Sequence, residues 1–462
     1  MRADSRRTLL TRSPPLAPPV TGLLRFLSPD RSNPPPTTLR REILAALTTF
    51  GAMGYVVVVN PQILSVTGAD RHALIVITAL AAMVGSLLMG LIGRLPVALA
   101  PAMGTNAVFA MAVAGGHGVT YGTALVMVLM GGVAFTLFSA TRLREHVVMA
   151  FPEAIRVGLQ CGLGLFIAKI GLRGGGLLTP AGQFGDLRHP AVMLAFAAVL
   201  VTPVLVLLRV PAALLLSILA VTLIGLVVPG ADGRMLTHLP SALVQAPPWP
   251  SDYVMSFDFA SFTSHLALAL PLAGYFFLGD FFSATATLIG VTRRAGLMDA
   301  SGRMPNARAA YLADGLGSIA GACLGSPTVA AYVESATGVE SGGRTGLTPI
   351  LVALLFALAT FLWPLIAAIP PQATTPALVM VGVMMMDGIR HLDCTRLENT
   401  VSAVLIMLLT VTTGNLVVGL AAGAFAYTFM ALALRIRLSP VLLLTDGLLA
   451  LYLLLSALAR HS

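Results

Sequence analysis

A chain of 462 residues that is 57% hydrophobic and 10% charged, with a mean hydropathy of +0.89, cannot be a soluble globule of ordinary composition and reads as an all-α polytopic membrane protein. The net charge of +9 would suit nucleic acid only if the basic residues gathered on one domain, and they are scattered through loops between apolar runs. Three cysteines, Cys161, Cys323 and Cys394, none in CxxC spacing, speak against a disulfide framework or a zinc site, so no metal or cofactor is expected.

Residues 1–42 are basic and Pro-rich, lack the apolar core and cleavage site of a signal peptide, and read as a disordered cytosolic tail. Apolar segments of about bilayer length then follow at 43–66, 74–93, 96–115, 120–140, 153–172, 190–208, 211–229, 264–291, 309–325, 326–341, 347–368, 376–389, 398–412 and 415–434, about 14 transmembrane segments in all. A last apolar run, 441–458 within the C-terminal stretch 437–462, holds Asp446 and reads as an extra span or an interfacial helix. With the tail inside, thirteen arginines, among them Arg94, Arg142, Arg144, Arg293, Arg294, Arg390 and Arg437, fall in cytosolic loops. Only Arg71, Arg173, Arg188 and Arg234 fall opposite. That positive-inside bias predicts a multi-pass protein of the cell (inner) membrane with a cytoplasmic N-terminus.

The longest outside connection, a linker over 230–262, separates two halves of seven spans each, 43–229 and 263–436. An odd number per half forces the halves into opposite orientations. Two echoes at similar offset, Asn106 against Glu334 and VGLQCGLGLFIAKIGL from Val157 against VGVMMMDGIRHL from Val381, support an inverted repeat.

Chemistry concentrates where spans are interrupted. Asp280 lies inside YFFLGDFFSATATLIG and Glu334 inside SPTVAAYVESATGVESGGRTG. A carboxylate at mid-bilayer costs roughly 2.5 to 3.5 kcal/mol on insertion scales, which makes each acid a functional-site hypothesis. Pro327 and the Gly-rich stretch through Gly343 break the tenth segment, and irregular backbone at membrane depth is tolerated only where it is buried or lines a cavity. The third segment, LPVALAPAMGTNAVFAMAVAGG, is broken at Pro101 and Gly104, with Asn106 opening a new helix as ligand contact or cap. Two acids, an amide and exposed backbone form a site rich in acceptors, suited to a neutral or cationic planar ligand with several N–H donors. In the fifth span Arg156 reads as snorkelling to the cytosolic interface, while Lys169 is left open.

The run GVTRRAGLMDASGRMPNARAAYLADGLGSIAGACLGSPTVAAYVESATGVESGGRTGLTPI resembles the AzgA-like adenine/guanine/hypoxanthine permeases, a branch of the nucleobase/cation symporters. REILAALTTFGAMGYVVVVNPQIL and APAMGTNAVFA resemble the same family's first and third spans, and the likeness extends from about Leu39 to Arg435. It implies two inverted seven-span repeats with broken third and tenth spans, a core domain of spans 1 to 4 and 8 to 11, and a gate domain of spans 5 to 7 and 12 to 14. The family residues associated with purine binding fall on Asn106, Asp280 and Glu334, and Asp314 matches a further acid, structural or gating. The chain departs from the family's D-x-x-D-T in the eighth span: Ser283 and Ala284 stand where a second acid and a Thr are usual, and ion coupling is where that departure would be felt.

The function implied is import of purine bases by a secondary transporter with protons as the coupling ion ahead of sodium, elevator-type alternating access, and a homodimer as one option for its assembly. Sodium has only Ser283, Thr285 and Thr287 beside Asp280 in its favour. The competing readings are a transport-fold sensor and a carrier of another nucleobase-like heterocycle with altered ion coupling. An intramembrane enzyme is disfavoured, since no HExxH is present and His117 and His265 lie toward the outer side; no GxxxxGK[ST] loop provides for ATP.

Overall fold

Side-chain caps start several of the helices: Asp70 accepts from Ala73 N at 2.8 Å, Thr120 from Thr123 N at 3.1 Å, and Asn415 from Val417 N at 2.9 Å. The computed structural model describes residues 22–114, 119–141, 152–230, 233–299 and 302–436, with 438–440, 442–443, 446–447, 449–450 and 454 beyond them. Residues 1–21 of the expected tail, His117, Arg142, Arg144, Arg437 and most of the 441–458 run lie outside the described residues.

The helices are α1 (Gly22–Phe26), α2 (Leu39–Met53), α3 (Val56–Leu64), α4 (Arg71–Leu88, continued by a π turn), α5 (Met103–Ala114), α6 (Tyr121–Ala140), α7 (Glu153–Gly174), α8 (Pro190–Leu207) and α9 (Ala213–Ile224) in the first half. After a long connection come α10 (Phe259–Ser264), α11 (Leu266–Arg294), α12 (Ala307–Cys323), α13 (Ser335–Glu340), α14 (Leu347–Phe361), α15 (Trp363–Ala367), α16 (Pro371–Met385), α17 (Leu397–Thr413) and α18 (Leu416–Ala433). By length and composition, seven of the described helical runs can cross a membrane, and four apolar helices are shorter.

The two interrupted segments are the exception to helix. Leu99–Pro101 (β1) and Val329–Ala331 (β2) are three-residue strands that pair antiparallel, Leu99 opposite Ala331, Ala100 opposite Ala330 and Pro101 opposite Val329. Each runs into a helix, α5 or α13. The pair has a local two-fold relation that carries residue 99 to 329, 100 to 330 and 101 to 331. Under it the bond from Tyr332 N to Ala98 O, 3.0 Å, matches that from Ala102 N to Thr328 O, 2.9 Å. The outward edges of so short a ribbon need partners. Ser86 Oγ supplies them for Leu99, accepting from its N at 2.9 Å and donating to its O at 2.7 Å. Ser318 Oγ does the same for Val329, at 3.2 and 2.7 Å. The shift of 230 corrects the pairing of Asn106 with Glu334 read from the sequence: Glu334 corresponds to Gly104, and Asn106 to Ala336.

Helices α4 and α12 press on the ribbon through glycines. A Cβ at Gly85 would meet Val329 Cγ1 at 2.6 Å, and one at Gly321 would meet Val329 Cγ2 at 2.6 Å. Around this crossing, α4 packs on α12 and α14, α6 on α11 and α12, and α2 on α13 and α14. Elsewhere α7 packs on α16, α17 and α18, and α16 also on α8 and α9. The α7–α16 contact joins the two stretches that echoed each other in sequence. It is glycine to glycine: a Cβ at Gly164 would lie 2.7 Å from Gly382 O, and one at Gly382 2.4 Å from Gly164 O.

Residues 22–42, part of the tail expected to be disordered, are folded onto the rest of the chain. Leu24 and Leu27 bury against Leu347, and Gly346 N donates to Leu27 O at 2.9 Å. Buried Glu42 holds the same 342–348 loop, accepting from Arg344 N at 3.0 Å and from Thr348 Oγ1 at 2.5 Å. Composition alone misses this, because two leucines and one acid decide it within a Pro-rich background.

Candidate functional site

The end of the ribbon opens on a cavity of about 850 Å³. One wall is the start of α5, where Met103, Gly104 and Thr105 contribute first-turn amides that have no acceptor within the helix. Ala330, Ala331 and Tyr332 form the floor, with Glu334 following them. Along α11, Asp280, Ser283 and Thr287 fall on one face by their i, i+3, i+7 spacing and line a second wall. The facing wall comes from α7 and the end of α16, with Arg156, Gln160, Met384 and Met385.

Glu334 is held by Tyr55, whose hydroxyl donates to Oε1 at 2.7 Å. Tyr55 sits where the first long helical run turns, between α2 and α3, and is 1% exposed. Tyr332 donates from its hydroxyl to Pro101 O at 2.6 Å, tying the floor to the opposite strand. Asp280 is 1% exposed; its Oδ2 lies 2.7 Å from Ser318 Oγ, and its Oδ1 has no hydrogen-bond partner among the described residues. None of the ion pairs among the described residues involves Asp280, Asp314 or Glu334.

Of the residues singled out from sequence, Asp280, Glu334 and Ser283 line this one cavity, as do Thr285 and Thr287. Asn106 does not. It is fully buried in the first turn of α5 and donates from Nδ2 to Asn60 Oδ1 at 2.6 Å, and Asn60 donates in turn to Thr78 at 2.9 Å. It therefore supports α5 from behind. Asp314 also stands behind the floor, accepting from Ala331 N at 2.9 Å. Arg156, read as snorkelling to the interface, lines the cavity and is the one basic side chain among the described residues that does. Lys169 donates to Val411 O on the neighbouring α17 at 2.5 Å. Sequence reasoning passed over Tyr55, whose signal was the Gly-Tyr pair and Pro61 inside an apolar run, and Gln160, which carries no signal beyond being polar in a span.

Residues 40–434 match the model of the Permease family, Xan_ur_permease. The chain belongs to this permease family. It is 37% identical to the adenine permease AdeQ of Escherichia coli over 85% of this chain and 88% of that one. It is 36% identical to the guanine/hypoxanthine permease PbuO of Bacillus subtilis, covering 86% and 92%. The nucleobase transporter PlAzg2 of Paenibacillus larvae is 30% identical over 85% and 77%, which agrees with the AzgA-like resemblance seen in the motifs. Among solved structures the permease shares its fold with the transmembrane domain of the cyanobacterial bicarbonate transporter BicA, at a TM-score of 0.56 and 20% identity over 83% of this chain and 97% of that one. SLC26A9 matches at a TM-score of 0.60 and 13% identity over 89% and 69%. The permease is thus an integral membrane transporter and not an enzyme.

Proposed function

We propose that the permease imports purine nucleobases across the cytoplasmic membrane, one proton accompanying each neutral base. The observation that carries the reading is the cavity itself: two acids from different elements, Asp280 and Glu334, converge with first-turn amides of α5 on one space. A purine presents ring N–H and amino donors beside ring-nitrogen acceptors. Carboxylate oxygens take the first and backbone N–H groups the second. The adenine and guanine/hypoxanthine permeases among its relatives support the same substrate class. Tyr275 and, in the floor, Tyr332 supply aromatic surface for a flat ring.

The 14-span inverted repeat is part of the proposal. The two-fold relation of β1 and β2 and the seating of each strand by a serine support it. In this reading α2 to α6 and α11 to α15 form the core, and α7 to α9 and α16 to α18 the gate, each packed mainly within itself. The site lies where they meet, so a core that slides on the gate carries the base across. Burying two like charges in this place is costly, and a bound proton neutralises one of them before the core moves.

Counterflow of labelled adenine, guanine or hypoxanthine in proteoliposomes tests the assignment. A transporter accumulates label against unlabelled base, whereas a sensor does not. Uptake driven by an imposed pH gradient without sodium tests the coupling ion; accumulation that appears only with sodium overturns proton symport.

A further inference from the structure

Ser86 and Ser318 are equivalent under the ribbon's two-fold relation, yet their hydroxyls carry different loads. Ser86 Oγ has two contacts, Leu99 N and Leu99 O, and its single proton serves the carbonyl. Ser318 Oγ has the same two, Val329 N and Val329 O, plus Asp280 Oδ2 at 2.7 Å. One hydroxyl proton cannot lie between Oγ and two acceptors at once. If it points to Asp280, Val329 O faces Oγ at 2.7 Å with no proton between them. If it points to Val329 O, as at Ser86, the Asp280 contact needs a proton on the carboxyl.

We propose that Ser318 is the positioning residue that reads the proton on Asp280: neutral Asp280 donates from Oδ2 to Ser318 Oγ, leaving the serine proton on Val329 O, and loss of that proton turns the serine away from β2. This rests on the nucleobase/proton reading above. The chemistry is a proton transfer only; one proton binds Oδ2 on the loading side and leaves it on the other, and no heavy-atom bond changes. Only the neutral state satisfies every contact of Ser318. It also leaves Asp280 Oδ1, which has no hydrogen-bond partner among the described residues, to accept an N–H from the base. Strand β2 carries the floor, Ala330 and Ala331, and leads to Tyr332 and Glu334, so the device links the proton to the shape of the site.

Among groups on elements packed against α11, Asp314 of α12 is the one that interacts electrostatically with Asp280, and its Oδ1 is engaged by Ala331 N on the same strand. Tyr311 of α12 packs its ring against Phe135. Tyr121, Arg308, Cys323 and Glu340 sit at the ends of their helices, and His265 immediately precedes α11. Glu153, Arg156, Glu334 and Asp387 line the cavity.

The test compares full-length wild type, Ser318→Ala, Ser318→Thr and Ser86→Ala in proteoliposomes, reading KM for adenine counterflow across a pH series. Wild-type counterflow is measured first; its absence for adenine, guanine and hypoxanthine would remove the transport reading itself. Given transport, one proton linked to binding changes KM about tenfold per pH unit where the site titrates. Ser318→Ala is expected to flatten that slope to less than about twofold per pH unit, with Ser318→Thr and Ser86→Ala keeping it. Equal slopes in Ser318→Ala and Ser86→Ala would overturn the proposal, because a role in seating the strand alone affects both. Infrared spectroscopy covers a variant that fails to fold. Wild-type permease at neutral pH should show the carbonyl stretch of a protonated carboxylic acid, lost in Asp280→Asn. A band that is absent from wild type, or unchanged in that variant, would equally overturn it.

Discussion

The two interrupted segments share a backbone plan and divide the chemistry unequally. In the first half, β1 is seated by Ser86, Pro101 has no N–H to satisfy, and α5 runs for twelve residues with Asn106 turned to a buried amide chain. In the second, Ser318 seats β2, Ala331 at the position of Pro101 needs Asp314 for its N–H, and α13 lasts six residues after Glu334. Position 104 offers a glycine with only backbone to present, whereas its equivalent 334 offers a carboxylate. The lesson is that symmetry of the backbone builds the crossing, and departures from it place the acids on one side. Of the two interrupted segments, the first lends amides to the cavity and the second lends the carboxylate of Glu334.

Breaking that asymmetry should have its largest effect at the acids. Asp280→Asn and Glu334→Gln should each abolish uptake while membrane-inserted protein remains, since they remove charge and an acceptor at constant volume. Asn106→Ala, on the first-half helix but outside the cavity, should retain measurable uptake. Near-normal transport by either acid variant, checked with labelled adenine, would reject the site.

Next in size is the support of Glu334 from the first half. Tyr55→Phe leaves a carboxylate oxygen without its donor, a loss of about 1.5 to 3 kcal/mol for a bond to a charged group, or roughly tenfold and more in KM. An unchanged KM would show that Glu334 is held by other means.

Two glycines, from α4 and α12, press on one side chain of β2 and test how the crossing is loaded. Gly85→Ala and Gly321→Ala each drive a methyl to within 2.6 Å of a Val329 side-chain carbon. Overpacking of this kind costs typically about 1 to 3 kcal/mol, so both should lower the thermal unfolding midpoint in detergent, and by similar amounts. A drop confined to one of them would mean that the crossing is not evenly loaded.

The smallest change expected is at Ser283, which faces the cavity from α11 where the resembling family has a second acid. Ser283→Asp should keep transport and alter the preference among adenine, guanine, hypoxanthine and xanthine. A flat profile across the four would make the departure neutral.

Membrane class, the places where spans break and the two acids were legible in the residues, because each is a local signal: bilayer-length apolar runs, Pro and Gly inside them, and a charge where charge is costly. The order of residues 22–42 was not legible. It depends on Leu24, Leu27 and Glu42 meeting a loop some 300 positions away. Nor could spacing tell that Asn106 faces Asn60, since any position in the first turn of a half-helix looks equally able to reach a ligand. Arg156 drew the interfacial reading because an arginine near a span end usually has water within reach, and only the packing of α7 turns it to the cavity.

What the sequence by itself determined, then, was that the chain is a helical membrane protein and which residue types are too polar for such a protein's apolar runs without purpose. The register of β1 on β2, with the equivalence of Ser86 and Ser318 that follows, was decided by tertiary structure alone. A three-residue strand has no periodicity to read, and its partner, its capping serine and the acid beside that serine come from separate parts of the chain. Pairing of backbone groups that cannot be left bare in a buried core selects that one arrangement.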